Sequence, residues 1–339
     1  MNSKERCLAV LKGQKPDIIP VVPQGFLFAI EQAGYKMKDV VFNGRKMADA
    51  QCKSWQKFGY DGCVIDFDDA TIAEACGAKA IFREEEPTIV NEENPVLKRL
   101  EDIEDLELPT PESGRLPVWL EATSELVRMT ENQVMVMGRA DQGSFALACL
   151  LRGTQQFMMD VMTEPPEKIH KVLEYCTKAS VMFAKAQKDA GARITSIGDA
   201  LAGPNLISPE MYHDLVVSYH LELTREIQEY GIPLSIHICG NTTNIIDDMA
   251  STGCSVLELD WQVDFGEISK KVTNVLMGNI NPSDPMVFGT PEKVKQQVLK
   301  LLEVTRGKGL FVSTGCAMGR NTKPENLTAM IDAVKEYKL

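Results

Sequence analysis

Three side chains able to hold a soft metal ion lie at two points of the chain. His237 and Cys239 sit in the run Leu234 to Gly240, and Cys316 closes the run Leu310 to Cys316. In the first run, apolar Leu234, Ile236 and Ile238 alternate with Ser235, His237 and Cys239, which is the period of a strand. His237 and Cys239 therefore share one side. Gly240 breaks the strand, and Asn241 or Thr242 can cap a helix that follows. An imidazole and a thiol side by side at that place can hold a metal, form a nucleophile–base couple, or fill a core. With Cys316 as a third ligand, the set offers one nitrogen, two thiolates and an open fourth position, as catalytic zinc uses. A thiolate–imidazole couple ranks below this reading, because it has no use for the second cysteine. Any one of the three alone would read as core.

The elements that must position them are short apolar strands separated by helices. Strands are expected at Ile18–Pro23, Gly62–Asp66, Val134–Met137, Arg193–Gly198, Leu234–Cys239, Ser255–Trp261, Thr273–Asn279 and Leu310–Cys316. Helices are expected from Ser3, as cap, to Lys12, and over Asn43–Phe58, Ser144–Arg152, Glu164–Ala190, Ser208–Tyr230, Thr290–Arg306 and from Pro324 onward. Alternating strands and helices imply a parallel sheet. Eight such units in 339 residues fit an α/β fold of the (β/α)8 TIM-barrel type, read as one domain over 1–339. An irregular and partly helical insertion, about 70–132, follows the second strand. A doubly wound sheet would want a glycine-rich phosphate loop after its first strand, and Pro23 to Leu27 is not one.

In a barrel, function collects at the carboxyl ends of the strands. Read in order, those ends supply Gln24, Asp66 and Asp68, Arg139 and Asp141, Asp199, His237 and Cys239, Glu258 and Asp260, Asn279 and Asn281, then Cys316. Glu258 and Asp260 are the candidates to orient His237 or to fill the metal's open position, and Asp199 to cap or to touch substrate. Gln24, Asp66, Arg139, Asp141 and Asn279 are expected to face substrate or cofactor. Asp69 reads as a solvated loop residue. His170, His213 and His220, within helices and with no carboxylate pattern beside them, read as structural.

Composition narrows the class. A net charge of −12 argues against nucleic acid as a partner. No run is apolar enough to span a bilayer and none of the secretion type opens the chain. Nine scattered cysteines, an odd number, fit reduced thiols in a cytoplasm.

The chain resembles the uroporphyrinogen decarboxylase superfamily, and most of all its zinc-dependent methylcobamide:coenzyme M methyltransferase branch. The resemblance is carried by Ser235 to Thr242, by Gly198-Asp-Ala and Leu206 to Tyr212, by Gly278 to Pro282, and by Ser313 to Cys316 with Lys323 to Asn326. It implies a (β/α)8 barrel, zinc on His237, Cys239 and Cys316, and a corrinoid (cobalamin) carried by a partner protein. The implied reaction moves a methyl group between that corrinoid and a small thiol such as coenzyme M, zinc activating the thiolate. The reverse use, a demethylase taking methyl from a methoxylated or methylated small molecule, is the alternative. A uroporphyrinogen decarboxylase-like reaction ranks last, since Pro23 to Glu31 lacks the arginines that would hold its carboxylates.

Overall fold

The computed structural model describes residues 1–337. Its sheet has seven parallel strands in the order β1-β4-β5-β6-β7-β8-β9. These are Gly62–Val64 (β1), Met135–Gln142 (β4), Ile194–Gly198 (β5), Leu234–Ile238 (β6), Val256–Leu259 (β7), Val275–Ile280 (β8) and Leu310–Thr314 (β9). The expected first strand is extended but pairs at one point, Val21 with Val312. Pro20 and Pro23 lack the N–H groups that a longer ladder needs. It still closes the barrel. Val22 donates to the Val312 carbonyl at 2.8 Å, Val312 donates to Pro20 at 2.9 Å, and on the other side Asp61 donates to Val21 at 2.7 Å. The architecture is the TIM barrel that eight strand patterns implied.

Alternation along each strand gives the barrel two layers. Val64, Met135, Met137, Ile194, Val256, Val275, Met277 and Phe311 fill the lower interior, together with Val22. Cys7 and Val10 of the helix Ser3–Leu11 plug it from below. Asn2, not Ser3, caps that helix. Asn2 accepts from the Glu5 N–H at 2.8 Å while its own N–H donates to the Glu5 carboxylate at 2.9 Å, a reciprocal capping box. One step up, the inward positions become Arg139, Ser196, Ser235, His237, Glu258 and Ser313, all buried. The outer faces of the strands pack on the surrounding helices in a separate core.

Residues 70–132 hold a helix Thr71–Ala75, a two-stranded antiparallel hairpin of β2 (Ala80–Ile81) and β3 (Ile89–Val90), a 3-10 turn Leu100–Asp105 and a helix Leu116–Met129. The last of these touches the helix Gly44–Phe58 so closely that a Cβ on Gly44 would lie 2.4 Å from the Val118 carbonyl. One helix, Thr154–Thr163, lies between the expected helices and has no counterpart among them, and the helix expected over Ser208–Tyr230 breaks at Val216 into Pro209–Leu215 and Val217–Glu229. Among the described residues no helix is long and apolar enough to cross a membrane.

Candidate metal centre and the cavity above it

His237 is the fourth residue of β6 and points into the barrel mouth. Its Nδ1 lies 3.1 Å from the backbone carbonyl of Glu258 on the neighbouring β7. A carbonyl only accepts, so Nδ1 carries the proton and Nε2 keeps its lone pair. Nε2 is 3.1 Å from the Cys239 sulfur, which is 3.7 Å from that of Cys316. All three donor atoms lie within 4.8 Å of one another.

Two backbone features bring the thiols together. Gly240 turns the chain at φ +87°, where a Cβ would also strike the Asn205 amide. Gly315 passes so close to β7 that a Cβ would sit 2.4 Å from the Trp261 nitrogen and 2.9 Å from an Asp260 oxygen. Asp260 fixes this approach. Its Oδ2 accepts from the Gly240 N–H at 2.8 Å and its Oδ1 from the Trp261 N–H at 2.7 Å.

The two sulfurs lie within hydrogen-bond reach of each other. A hydrogen bond from Cys239, and after it the His237 imidazole, hold the Cys316 thiol low. The same bond pushes Cys239 up. A pair that gives up one proton readily and keeps the second is what a divalent cation would replace. The sulfur spacing also fits. Tetrahedral zinc, with bonds of about 2.3 Å to sulfur, sets two sulfurs roughly 3.8 Å apart, while Nε2 at 3.1 Å from Cys239 sits at hydrogen-bond distance. At 3.7 Å the sulfurs are also far beyond disulfide length, about 2.05 Å.

Beside the cluster lies a buried charge network. The Arg139 guanidinium reaches Asp66 at 2.9 Å, Glu258 at 3.2 Å, Ser196 at 3.2 Å and the Gln24 carbonyl oxygen at 3.1 Å. The Ser196 hydroxyl also donates to Glu258. Burial alone would raise the Glu258 carboxyl, but the charge of Arg139 and the Ser196 hydroxyl outweigh it and the group is held low. Burial wins at Asp66, which is pushed up to about 8 despite Arg139. A β-bulge between Arg139 and Gln142, with Asp141 at φ +66°, aims this strand end. Asp141 accepts from the Ile72 N–H at 2.9 Å and from the Gln142 amide at 3.0 Å.

His237, Cys239, Cys316, Gln24, Asp66, Arg139 and Asp141 thus line one cavity of about 470 Å³. A larger hollow, about 710 Å³, lies outside the barrel against Val181, Lys185 and Glu226 and has no thiol or imidazole in its wall.

Other candidates do not gather there. Asn279 donates to the Val263 carbonyl at 2.7 Å and lines a separate hollow. Gly278, at φ +141°, turns the strand end so that the inward alternation stops before it. Asp199 points away into the helices. It accepts from the Ala146 N–H at 2.7 Å and from His220 at 2.9 Å. Glu258 and Asp260 support the cluster with engaged carboxylates, and it is the Glu258 backbone, not its carboxylate, that orients His237. Asp68 is buried against Arg115 at 2.7 Å. Two of the helical histidines do have carboxylates, His220 on Asp199 and His213 on Asp248, contributed by distant parts of the chain. Asp69, expected in a solvated loop, lines the cavity and accepts from the Gln142 amide at 3.1 Å. Gln142 and Ser196 carried no sequence signal, being polar residues inside otherwise apolar strands.

A parallel barrel whose mouth holds an imidazole and two thiols beneath a closed-in cavity has the layout of a barrel enzyme. The particular family follows from comparison. A model of the uroporphyrinogen decarboxylase (URO-D) family matches residues 2–337, and the chain belongs to that family. A methylcobamide:CoM methyltransferase MtbA from Methanosarcina acetivorans is 30% identical over 99% of this chain and 98% of its own length. A uroporphyrinogen decarboxylase from Neisseria meningitidis is 25% identical over 88% of this chain and 84% of its own. A solved methyltransferase structure from Methanosarcina mazei shares the fold at a TM-score of 0.91, with 24% identity and 99% of both chains covered.

Proposed function

We propose that the protein is a zinc-dependent methyltransferase that moves a methyl group between a corrinoid carried by a partner protein and a small thiol or methylated molecule. The observation that carries this reading is the spacing of the Cys239 and Cys316 sulfurs and the free Nε2 of His237, which suits one tetrahedral zinc with an open position. The relatives named as methylcobamide:CoM methyltransferases support the corrinoid. Zinc, when bound, lowers the proton affinity of a thiol that enters its open position.

The chain's own residues do the rest. Glu258 holds the imidazole through its carbonyl, and Asp260 holds the loops that carry the thiols. The apolar wall of Phe26, Ile89, Val90, Leu150 and Leu201 keeps water from the substrate sulfur. In the transfer, a carbon–sulfur bond forms and the cobalt–carbon bond breaks. The electron pair stays on cobalt, which passes from Co(III) to Co(I), and the thiol proton leaves to solvent. The reverse direction uses the same groups. A tetrapyrrole decarboxylase would need cations for several carboxylates, yet the guanidinium of Arg139 is already held by two acids. Nine free thiols support a reducing, cytoplasmic setting.

The test is metal analysis of the purified protein together with loss of the methylcobalamin absorbance on adding thiols. About one zinc per chain and thiol-dependent demethylation are expected. Full transfer by zinc-free protein would sink the reading.

A further inference from the structure

The charge in the cavity bears on which thiol enters it. Four carboxylates line it, those of Asp66, Asp69, Glu92 and Asp141, and among the described residues Arg139 is the one cation in its wall. That cation is spoken for. Its Nη2 donates to Glu258 and Gln24 and its Nη1 to Ser196 at 3.1 to 3.2 Å, and its Nε lies 2.9 Å from Asp66 without a hydrogen bond, so two acids already face its charge before an anion arrives. Three arginines beyond the wall are likewise paired. Arg115 is held by Asp68 and Glu74, Arg152 by Asp160, and Arg320 by Glu31 and Glu85. Gln24, buried and in the wall, keeps an Nε2 with no hydrogen-bond partner, one neutral donor where an anion would want several charged ones.

Resting on the methyl-transfer reading above, we propose that the small carrier taken by this cavity has an uncharged or cationic tail, and that Asp69 selects it over an anionic one. Asp69 suits this role by placement. Asp69 and Glu92 are both exposed in the wall, but Glu92 accepts from the Thr154 N–H at 2.6 Å, whereas the one side-chain partner of Asp69 is the neutral amide of Gln142. Burial, and after it Asp68, push its carboxyl up; a cation beside it favours the ionised form and an anion opposes it. Around the tail, the apolar wall of Phe26, Ile89 and Leu201 accepts a short carbon chain.

Three thiols of equal length test this: 2-mercaptoethanesulfonate, 2-mercaptoethanol and 2-aminoethanethiol. Binding of each to the zinc-loaded protein is measured by calorimetry, and methylcobalamin demethylation is followed in parallel. The amine and the alcohol are expected to bind at least about tenfold more tightly than the sulfonate, which corresponds to about 1.4 kcal/mol. Asp69→Asn is expected to erase most of the advantage of the amine while moving the alcohol less than about twofold. Tightest binding by the sulfonate overturns the inference and leaves the methyl-transfer reading standing. So does an Asp69→Asn protein with unchanged preference. Binding in the expected order without demethylation at any thiol concentration overturns the methyl-transfer reading and keeps the charge selection.

Discussion

Two clusters built around a buried histidine meet at the ends of adjacent strands. In the first, Asp199 after β5 takes the Ala146 N–H and the Nε2–H of His220, whose Nδ1 accepts from the Tyr212 hydroxyl at 3.0 Å. In the second, His237 of β6 faces Cys239 and Cys316. The Asp199 N–H even donates to the His237 carbonyl at 2.9 Å. The first cluster is closed: Asp199, His220 and Tyr212 are fully buried and each polar atom named has its partner. The second opens into the cavity, and the side-chain partners of its Nε2 and sulfurs are one another. Closed valences hold a fold together, whereas an open set with one proton to lose can take a ligand. A histidine beside an acid is therefore no sign of chemistry until its remaining valence and its access to space are known.

The sharpest way to separate the clusters is to break each. Cys316→Ala is expected to remove bound zinc and to cut methyl transfer on the order of 100-fold or more, since losing even a supporting partner of a metal ligand costs 10- to 100-fold. The half-exposed Cys316 contributes little packing, so unfolding of the metal-free protein should shift by less than about 1 kcal/mol. Asp199→Ala should do the opposite. It strands a buried imidazole and a helix N–H, at about 3 kcal/mol of stability, and the protein that remains folded should still bind zinc stoichiometrically. Normal unfolding of Asp199→Ala with zinc lost would reverse the roles assigned here.

Smaller effects sharpen the second cluster. Because the Cys316 thiol is held low, metal-free protein should be alkylated by iodoacetamide at Cys316 well below neutral pH, losing reactivity only in strong acid. Peptide mapping after labelling at pH 6 should find Cys316 modified ahead of the buried thiols Cys76, Cys149 and Cys176, whose burial pushes them up. Equal labelling would remove the account of a Cys316 thiol held low. Smallest is the effect at Asp66, whose folded value lies above the unfolded one. Its contribution is present in full at acid pH and is lost as pH rises through about 8. The midpoint of thermal unfolding should therefore fall between about pH 4 and 8, and Asp66→Asn should flatten that fall by roughly 2 °C.

Much of the fold was readable because each strand is short, apolar and bounded by a break. The (β/α)8 order, the cap at Asn43 and the proline-opened helices at Pro291 and Pro324 follow from local rules that packing does not override. Less legible were the break at Val216, which no proline or glycine marks, and the pairing of Ile18–Pro23, where prolines leave a strand with one bridge. At the metal centre, the period-two alternation put His237 and Cys239 on one side. Asp69 is an exposed loop residue, as its place after a strand implied, and only the closing of the barrel turns that loop over a cavity.

The sequence by itself determined which residues can reach the mouth, because alternation and strand ends are local properties of the chain. It also determined the donor types, one imidazole and two thiols. Tertiary structure decided the rest. Cys239 and Cys316 are separated by most of three βα units, and only closure through Val21 and the close passage of Gly315 brings their sulfurs to 3.7 Å. It also decided that Asp199 is sealed, that Asn279 serves the neighbouring loop, and that Arg139 is neutralised before any ligand arrives. Those outcomes depend on which valences remain free once every strand has taken its neighbours, and no single stretch of the chain contains them.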